Sequence, residues 1–268
     1  MRTLKSLYDL QGRVAAVTGG GGHVGAAACE ALAELGASVA VLDVAGEKAR
    51  EVAAKLPVSG GASARAFDFD LTKADDIVAA PAVLQKHFGR LDIIVNAAAL
   101  VGSSLTEGWA DSFERQSFDL WPSALEVNLT APIRLVQACT PMLRRSGHAS
   151  IINIASIYGA TGPDWRLYAD AGVGGTPAAY AASKGGLIQM TRWLATTLAP
   201  EIRVNCVSPG GIYRGQSEAF VQRYVDRTPL RRMCTEEDLK GVVAFLASDF
   251  SSYVTGQNIF VDGGWTAW

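Results

Sequence analysis

The sequence predicts an α/β protein: one doubly wound parallel sheet of about seven strands with helices on both faces. Three observations predict it. Short apolar runs such as SVAVLD, LDIIV and SIINI alternate with longer helical patterns, and strands covered on both faces read as near-continuous apolar runs. The first run leads into four consecutive glycines, residues 19–22, and then a helical stretch. No composition break, linker or internal repeat divides the chain, so residues 1–268 are expected to form a single domain.

The elements follow in order. Residues 13–18 read as a buried strand, the glycines as a tight turn, and 24–35 as a helix. Strand 38–43 precedes a charged helix at 46–56. A short strand at 64–67 and a helix at 73–88 come next. Strand 91–95 leads to a long unpatterned stretch and then a long helix at 124–145. Strand 150–154, helix 178–198, strand 202–207, helix 235–247 and a last strand at 258–261 complete the alternation, which calls for right-handed crossovers. Ligands of such sheets sit beyond the carboxyl ends of the strands, where strand order reverses. The loops after strands therefore carry the chemistry.

Composition narrows the function classes. With 49% hydrophobic and 19% charged residues the chain is not disordered. A net charge of −2 gives no electrostatic case for nucleic acid or an anionic membrane. Four cysteines stand far apart with no CxxC pair, and three histidines form no ligand cluster, so buried free thiols in a reducing compartment and no metal are expected. The first ten residues are too polar for a signal peptide and no run is long enough to span a membrane. A soluble, cytoplasmic protein is the expectation.

In TGGGGHVG, residues 18–25, glycines let the backbone approach a pyrophosphate while the following helix presents its amides. Gly19, Gly22, His23 and Val24 are the residues expected at that contact. Strand 38–43 ends at Asp43, whose carboxylate suits the adenine-ribose hydroxyls and repels a 2′-phosphate; with no Arg or Lys beside it, NAD is expected over NADP. Capping of the next helix is the other reading of Asp43. Asp70 and Leu71 follow the third strand, where Asp70 suits an adenine amino group or, equally, a helix cap.

Tyr180 and Lys184 lie four apart in YAASK and so share a helix face. A phenol titrates near 10, and a neighbouring ammonium favours its ionised form. Tyr180 is thus a candidate general base for an alcohol proton, with Ser156 to hold the substrate oxygen.

Taken together these motifs resemble the short-chain dehydrogenase/reductase family over essentially the full length. The glycine turn, Asn96-Ala97-Ala98-Ala99, Asn128 in VNLT, INIAS ending at Ser156, the Tyr180–Lys184 pair, Pro209-Gly210 followed by Ile212, and the YVTGQ…VDGG ending stand in the family's order. The resemblance implies a Rossmann-like fold and an NAD(P)-dependent oxidoreductase acting on a CH–OH group. Tyr180 would exchange the proton, Ser156 would stabilise charge on the oxygen, and Lys184 would bind the nicotinamide ribose and depress the Tyr180 pKa. Asn128 would hold, through its local backbone, a water linking Lys184 to solvent. Asn96, Ala97 and Ala98 would wall the adenosine, and Pro209, Gly210 and Ile212 the nicotinamide. Four positions depart from the family: His23 replaces a glycine, Ala97 and Ala99 replace Asn and Gly, and Arg214 replaces a threonine at the carboxamide. A homotetramer, or a homodimer, is implied, through the two long helices and the C-terminal strand.

Ser156 and Tyr180 are 24 positions apart, wider than in most relatives, and the extra residues at about 159–177 emerge beside the reacting centre. Asp164, Trp165, Arg166, Tyr168 and Asp170 there, with Tyr213, Arg214 and Gln216 in a second loop at about 211–231, suit a hydroxyl-rich substrate; Arg214 would meet a phosphate or carboxylate. Asp164, Arg166 and Arg214 are the expected substrate contacts beside Ser156 and Tyr180. Local details resemble a sugar-metabolism subgroup with gluconate-5-dehydrogenase-like and surface-sugar members. The expected substrate is therefore a polyol, aldonate, sugar phosphate or nucleotide-sugar. The alternatives are a 3-oxoacyl-type carbonyl reductase using NADPH and a non-catalytic dinucleotide sensor. The apolar ending with Trp265 and Trp268 is expected to pack on a neighbouring subunit.

Overall fold

The computed structural model describes residues 1–101, 107–169 and 175–268. Asp170, expected in the substrate loop, lies outside them. Seven strands, β1 (Val14–Thr18), β2 (Ser38–Asp43), β3 (Ala64–Asp68), β4 (Ile93–Asn96), β5 (Ala149–Ile154), β6 (Ile202–Pro209) and β7 (Asn258–Val261), form one sheet in the order β3-β2-β1-β4-β5-β6-β7. Every neighbouring pair is parallel. This is the doubly wound architecture that the alternation predicts.

The helices are α1 (Leu4–Tyr8), α2 (His23–Glu34), α3 (Gly46–Lys55), α4 (Ala74–Phe88), α5 (Trp121–Leu125), α6 (Ala131–Arg144), α7 (Ala178–Leu198), α8 (Glu218–Arg227) and α9 (Glu237–Ala247). Strand side chains alternate between two cores. Val14 and Ala16 pack with α4, α6 and the end of α7. Ala15 and Val17 pack with α2 and α9 on the other face. Both faces are thus covered, and β1, β4 and β5 are buried along their whole length. The four cysteines are free and buried. No helix among the described residues is long and apolar enough to cross a membrane.

The helix expected at 124–145 is instead three pieces. Between α5 and α6 the chain makes a π-turn at Glu126–Thr130. The α-helical donor to the carbonyl of Asn128 would be residue 132, which is proline and has no N–H. The wider turn accommodates that missing bond and places Asn128 at its centre. Helix α8 lies in a stretch read as loop. Its Phe220 and Tyr224 are buried with Ile157, Leu167, Met233 and Trp265 in a small core separate from the sheet. Trp265 therefore packs within its own chain, stacked on Tyr224 at 6.0 Å, and needs no neighbouring subunit. Trp268 is exposed, and its indole N–H donates to the Arg227 carbonyl at 3.2 Å.

Candidate active site

Strand order reverses between β1 and β4, and the loops leaving those two strands meet there. Gly19 has φ +64°, and a Cβ on it would stand 2.6 Å from the Ala98 Cα. A Cβ on Gly25 would stand 2.0 Å from the Gly19 carbonyl oxygen. Glycine is thus obligatory at both positions, one for the turn and one for helix approach. Gly22 caps α2 without any side-chain bond to the helix, so the first amides of α2 face the cleft, a ready anion site.

A cleft of about 580 Å³ lies over this switch point. Gly19, Gly22, His23, Val24, Asp43, Asp70, Leu71, Ala97 and Ala98 all line it. Asp43 accepts from the Gly21 amide at 2.9 Å and the Ala45 amide at 2.8 Å. One carboxylate thereby ties the glycine turn to the end of β2, and each oxygen keeps lone-pair capacity toward the cleft. Asp70 accepts from the Thr72 amide and hydroxyl, at 2.9 and 2.7 Å, which lowers its pKa; it shapes the turn before α4 and does not cap that helix, whose N-cap is Lys73. Asn96 departs from expectation. It is buried and donates to Asn153 at 2.8 Å, which donates to Thr191 at 2.9 Å. It lines neither cavity, because its side chain is part of a ladder inside the sheet.

The second cavity, about 450 Å³, adjoins the first along Val24, Ala97, Ala99, Val101 and Arg214, which line both. Ser156, Tyr180, Lys184, Pro209, Gly210 and Ile212 line it. Its geometry comes from two tight packings. The turn Ile157–Gly159 lies so close to α7 that a Cβ on Gly159 would stand 2.7 Å from the Lys184 carbonyl carbon. Asn128, fully buried, accepts from the Leu100 amide at 2.7 Å and donates to the Leu100 carbonyl and the Ser183 hydroxyl, both at 3.0 Å. Ser183 in turn donates to the Tyr180 carbonyl at 2.8 Å. The π-turn is thus bolted to the turn of α7 that presents Tyr180.

Ser156 and Tyr180 line the cavity together, and the Ser156 hydroxyl favours the phenolate. Burial acts the other way and is larger, so the Tyr180 pKa is raised rather than depressed in this structure. The Lys184 ammonium donates to the Ile154 carbonyl at 2.8 Å and lies 5.8 Å from the Tyr180 ring centre. Burial brings its own pKa down to about 8. The expected depression of Tyr180 by Lys184 is therefore corrected: the amine is engaged elsewhere, and desolvation dominates both groups.

Two expected substrate residues stand away from the cavity. Asp164 takes a two-pronged contact from Arg166, both bonds 2.8 Å, and a further one from Arg227 at 2.7 Å. The Arg166 contacts hold its pKa down at about 2. These ions satisfy one another and pin the loop to α8, so neither Asp164 nor Arg166 lines the cavity. Arg214 does line it, and its Nε lies 3.2 Å from Glu236, which also stands 3.8 Å from the exposed His23. Tyr158 and Thr176, not singled out in the sequence, are on the wall beside Tyr168. Their signal was spacing: Tyr158 follows Ser156 by two, and Thr176 precedes helix α7 by two.

Residues 22–266 match the family model described as Enoyl-(Acyl carrier protein) reductase. The chain belongs to the short-chain dehydrogenase/reductase family. It is similar to the 3-oxoacyl-[acyl-carrier-protein] reductase FabG of Aquifex aeolicus (strain VF5), 34% identical over 95% of this chain and 98% of that one. A short-chain dehydrogenase of Leptospira borgpetersenii serovar Hardjo-bovis, solved with bound NAD+, is 32% identical with a TM-score of 0.82, over 99% of this chain and 96% of that one. A gluconate 5-dehydrogenase of Burkholderia cenocepacia J2315, in complex with NADP and tartrate, is 29% identical with a TM-score of 0.83, over 99% and 100%. This short-chain dehydrogenase/reductase is an oxidoreductase of alcohols and ketones that uses a nicotinamide dinucleotide. The glycine cradle and the open amides of α2 fit that cofactor's diphosphate.

Proposed function

We propose that the protein is a NAD-dependent dehydrogenase that interconverts a secondary alcohol and a ketone on a hydroxyl-rich, sugar-like small molecule. One observation carries it: the Ser156–Tyr180 pair stands in a cavity whose wall also carries the hydroxyls of Tyr158, Tyr168 and Thr176 and the side chains of Arg214 and Gln216, continuous with a cleft that has a carboxylate, Asp43, at the end of β2. A carboxylate there favours ribose hydroxyls over a 2′-phosphate. When bound, the nicotinamide would supply or accept the hydride. Ser156 holds the substrate oxygen and stabilises charge on it. Tyr180 passes the proton to or from that oxygen. Arg214 places positive charge where it opposes the effect of burial on Tyr180. Asn128 acts as a positioning residue through the π-turn. The chain acts as one domain, in the cytoplasm, as a homotetramer; the exposed Trp193 on α7 and Phe260 on β7 suit such contacts.

The test is calorimetric binding of NADH against NADPH, followed on the same sample by an oxidation screen of polyols, aldonates and sugar nucleotides. Tighter NADH binding with turnover of a hydroxyl-rich compound supports the reading. Tighter NADPH binding with turnover of an acyl ketone sinks it and favours an acyl reductase, the reading that the likeness to FabG supports.

A further inference from the structure

On the wall of the catalytic cavity three hydroxyls form a row. Tyr158 Oη lies 2.9 Å from Tyr168 Oη, which lies 3.0 Å from Thr176 Oγ1. All three residues line the cavity with Ser156 and Tyr180. The backbone of Tyr158 is tied to the reacting pair: its amide donates to Ser156 Oγ at 3.2 Å.

We propose that Tyr158, Tyr168 and Thr176 are specificity-determining residues that bind a second hydroxyl on the carbon next to the reacting one, so that the preferred substrate is a vicinal diol or its α-hydroxy ketone. This rests on the reading of the cavity as the site of alcohol oxidation.

Hydroxyls are suited to the task. Each has one donor and two acceptor sites, so the two bonds within the row consume two donors and leave one donor and several lone pairs free. Reversing the row moves the free donor from one end to the other. A substrate hydroxyl, which both donates and accepts, can join in either sense. The spacing of the row, one hydrogen bond per step, is close to that of hydroxyls on neighbouring carbons. The phenol rings have little freedom. Tyr168 is packed between Trp165 at 5.8 Å and Phe220 at 5.5 Å, and Tyr158 sits edge-on to Trp265 at 6.2 Å. Burial raises the Tyr158 pKa, so its hydroxyl stays neutral and keeps its proton. A substrate lacking the second hydroxyl forgoes a bond that the row is arranged to make.

The experiment compares butane-2,3-diol, glycerol and sorbitol with butan-2-ol, as substrates of the full chain and of Tyr168→Phe, Thr176→Val and Tyr180→Phe. The expected result is a higher kcat/KM for the diols in the parent. Tyr168→Phe should lower that preference about tenfold, the effect of about one hydrogen bond, with the butan-2-ol rate and melting temperature little changed; Thr176→Val should act in the same direction. Equal loss on diols and butan-2-ol, or no preference in the parent, overturns the proposal. Oxidation of butan-2-ol alone overturns it while leaving the oxidoreductase reading intact. No turnover of any alcohol, or turnover undiminished in Tyr180→Phe, overturns both.

Discussion

The Lys184 ammonium is hydrogen-bonded to the carbonyl of Ile154, at 2.8 Å, and not to the phenol of Tyr180. It is almost wholly buried, and burial lowers its pKa from 10.5 to about 8. Because the folded value lies below the unfolded one, its contribution to stability is present above about pH 10.5 and lost as pH falls through about 8. The shift corresponds to roughly 3 kcal/mol. Lys184→Met, which does not titrate, should therefore lose ground to the parent by up to that amount between pH 7 and pH 10. Urea denaturation at the two pH values measures it. Parallel curves would show that Lys184 is not desolvated.

Tyr180→Phe should reduce kcat by about 10²- to 10⁴-fold, the range of general acid–base catalysis, while dinucleotide binding persists. Ser156→Ala should cost about 10²-fold, by loss of a donor at the oxygen. Fluorescence titration with the reduced dinucleotide separates chemistry from binding. A loss of binding that matches the loss of turnover would assign Tyr180 to the cofactor floor instead.

Asp43→Asn keeps the size of the side chain but removes its charge. It should weaken NADH binding about tenfold, the value of a charged hydrogen bond, and narrow the NADH-to-NADPH affinity ratio. It also weakens the ties to Gly21 and Ala45, so melting temperature should fall. An unchanged affinity ratio would leave Asp43 with the structural role alone.

Glu236 holds Arg214 and His23 at the edge of the cleft that Arg214 shares with the catalytic cavity. A diphosphate in that cleft and the Glu236 carboxylate would compete for the Arg214 guanidinium. Glu236→Gln should tighten dinucleotide binding about two- to fivefold, as expected for partly exposed pairs, and the gain should shrink with salt. Weaker binding in the variant would mean that Glu236 aims Arg214 instead of competing with the ligand.

Gly25→Ala would put a methyl 2.0 Å from the Gly19 carbonyl oxygen, which is backbone and has no room to yield. A loss of at least about 1–3 kcal/mol is expected, together with loss of dinucleotide binding. Gly147→Ala is the control; it has open space but a positive φ, so it should cost stability without affecting binding.

Most of the sheet was legible because parallel strands covered on both faces leave unbroken apolar runs; 38–43 and 258–261 agree with β2 and β7 to the residue. The glycine turn was legible because only glycine meets the contacts of Gly19 and Gly25. The break at Asn128 was missed, although Pro132 marked it, because a π-turn has the apolar pattern of the helix around it. Helix α8 was missed although Phe220, Tyr224, Val221 and Val225 carry a helical repeat, since its apolar face meets a side core and not the sheet. Asp164 and Arg166 show the opposite failure. Charges in a loop look like ligand contacts until the loop's shape reveals that they bind one another and Arg227. Asn96 failed in the same way, its amide taken by Asn153.

The side core of Ile157, Leu167, Phe220, Tyr224, Met233 and Trp265 joins the turn after Ser156, the loop before α7, helix α8 and the C-terminal tail. These four segments therefore share one packing surface. A graft of residues 159–177 from a relative would leave Phe220 and Trp265 against a surface that they were not selected to match. A designer who replaces the loop has to transplant the tail along with it.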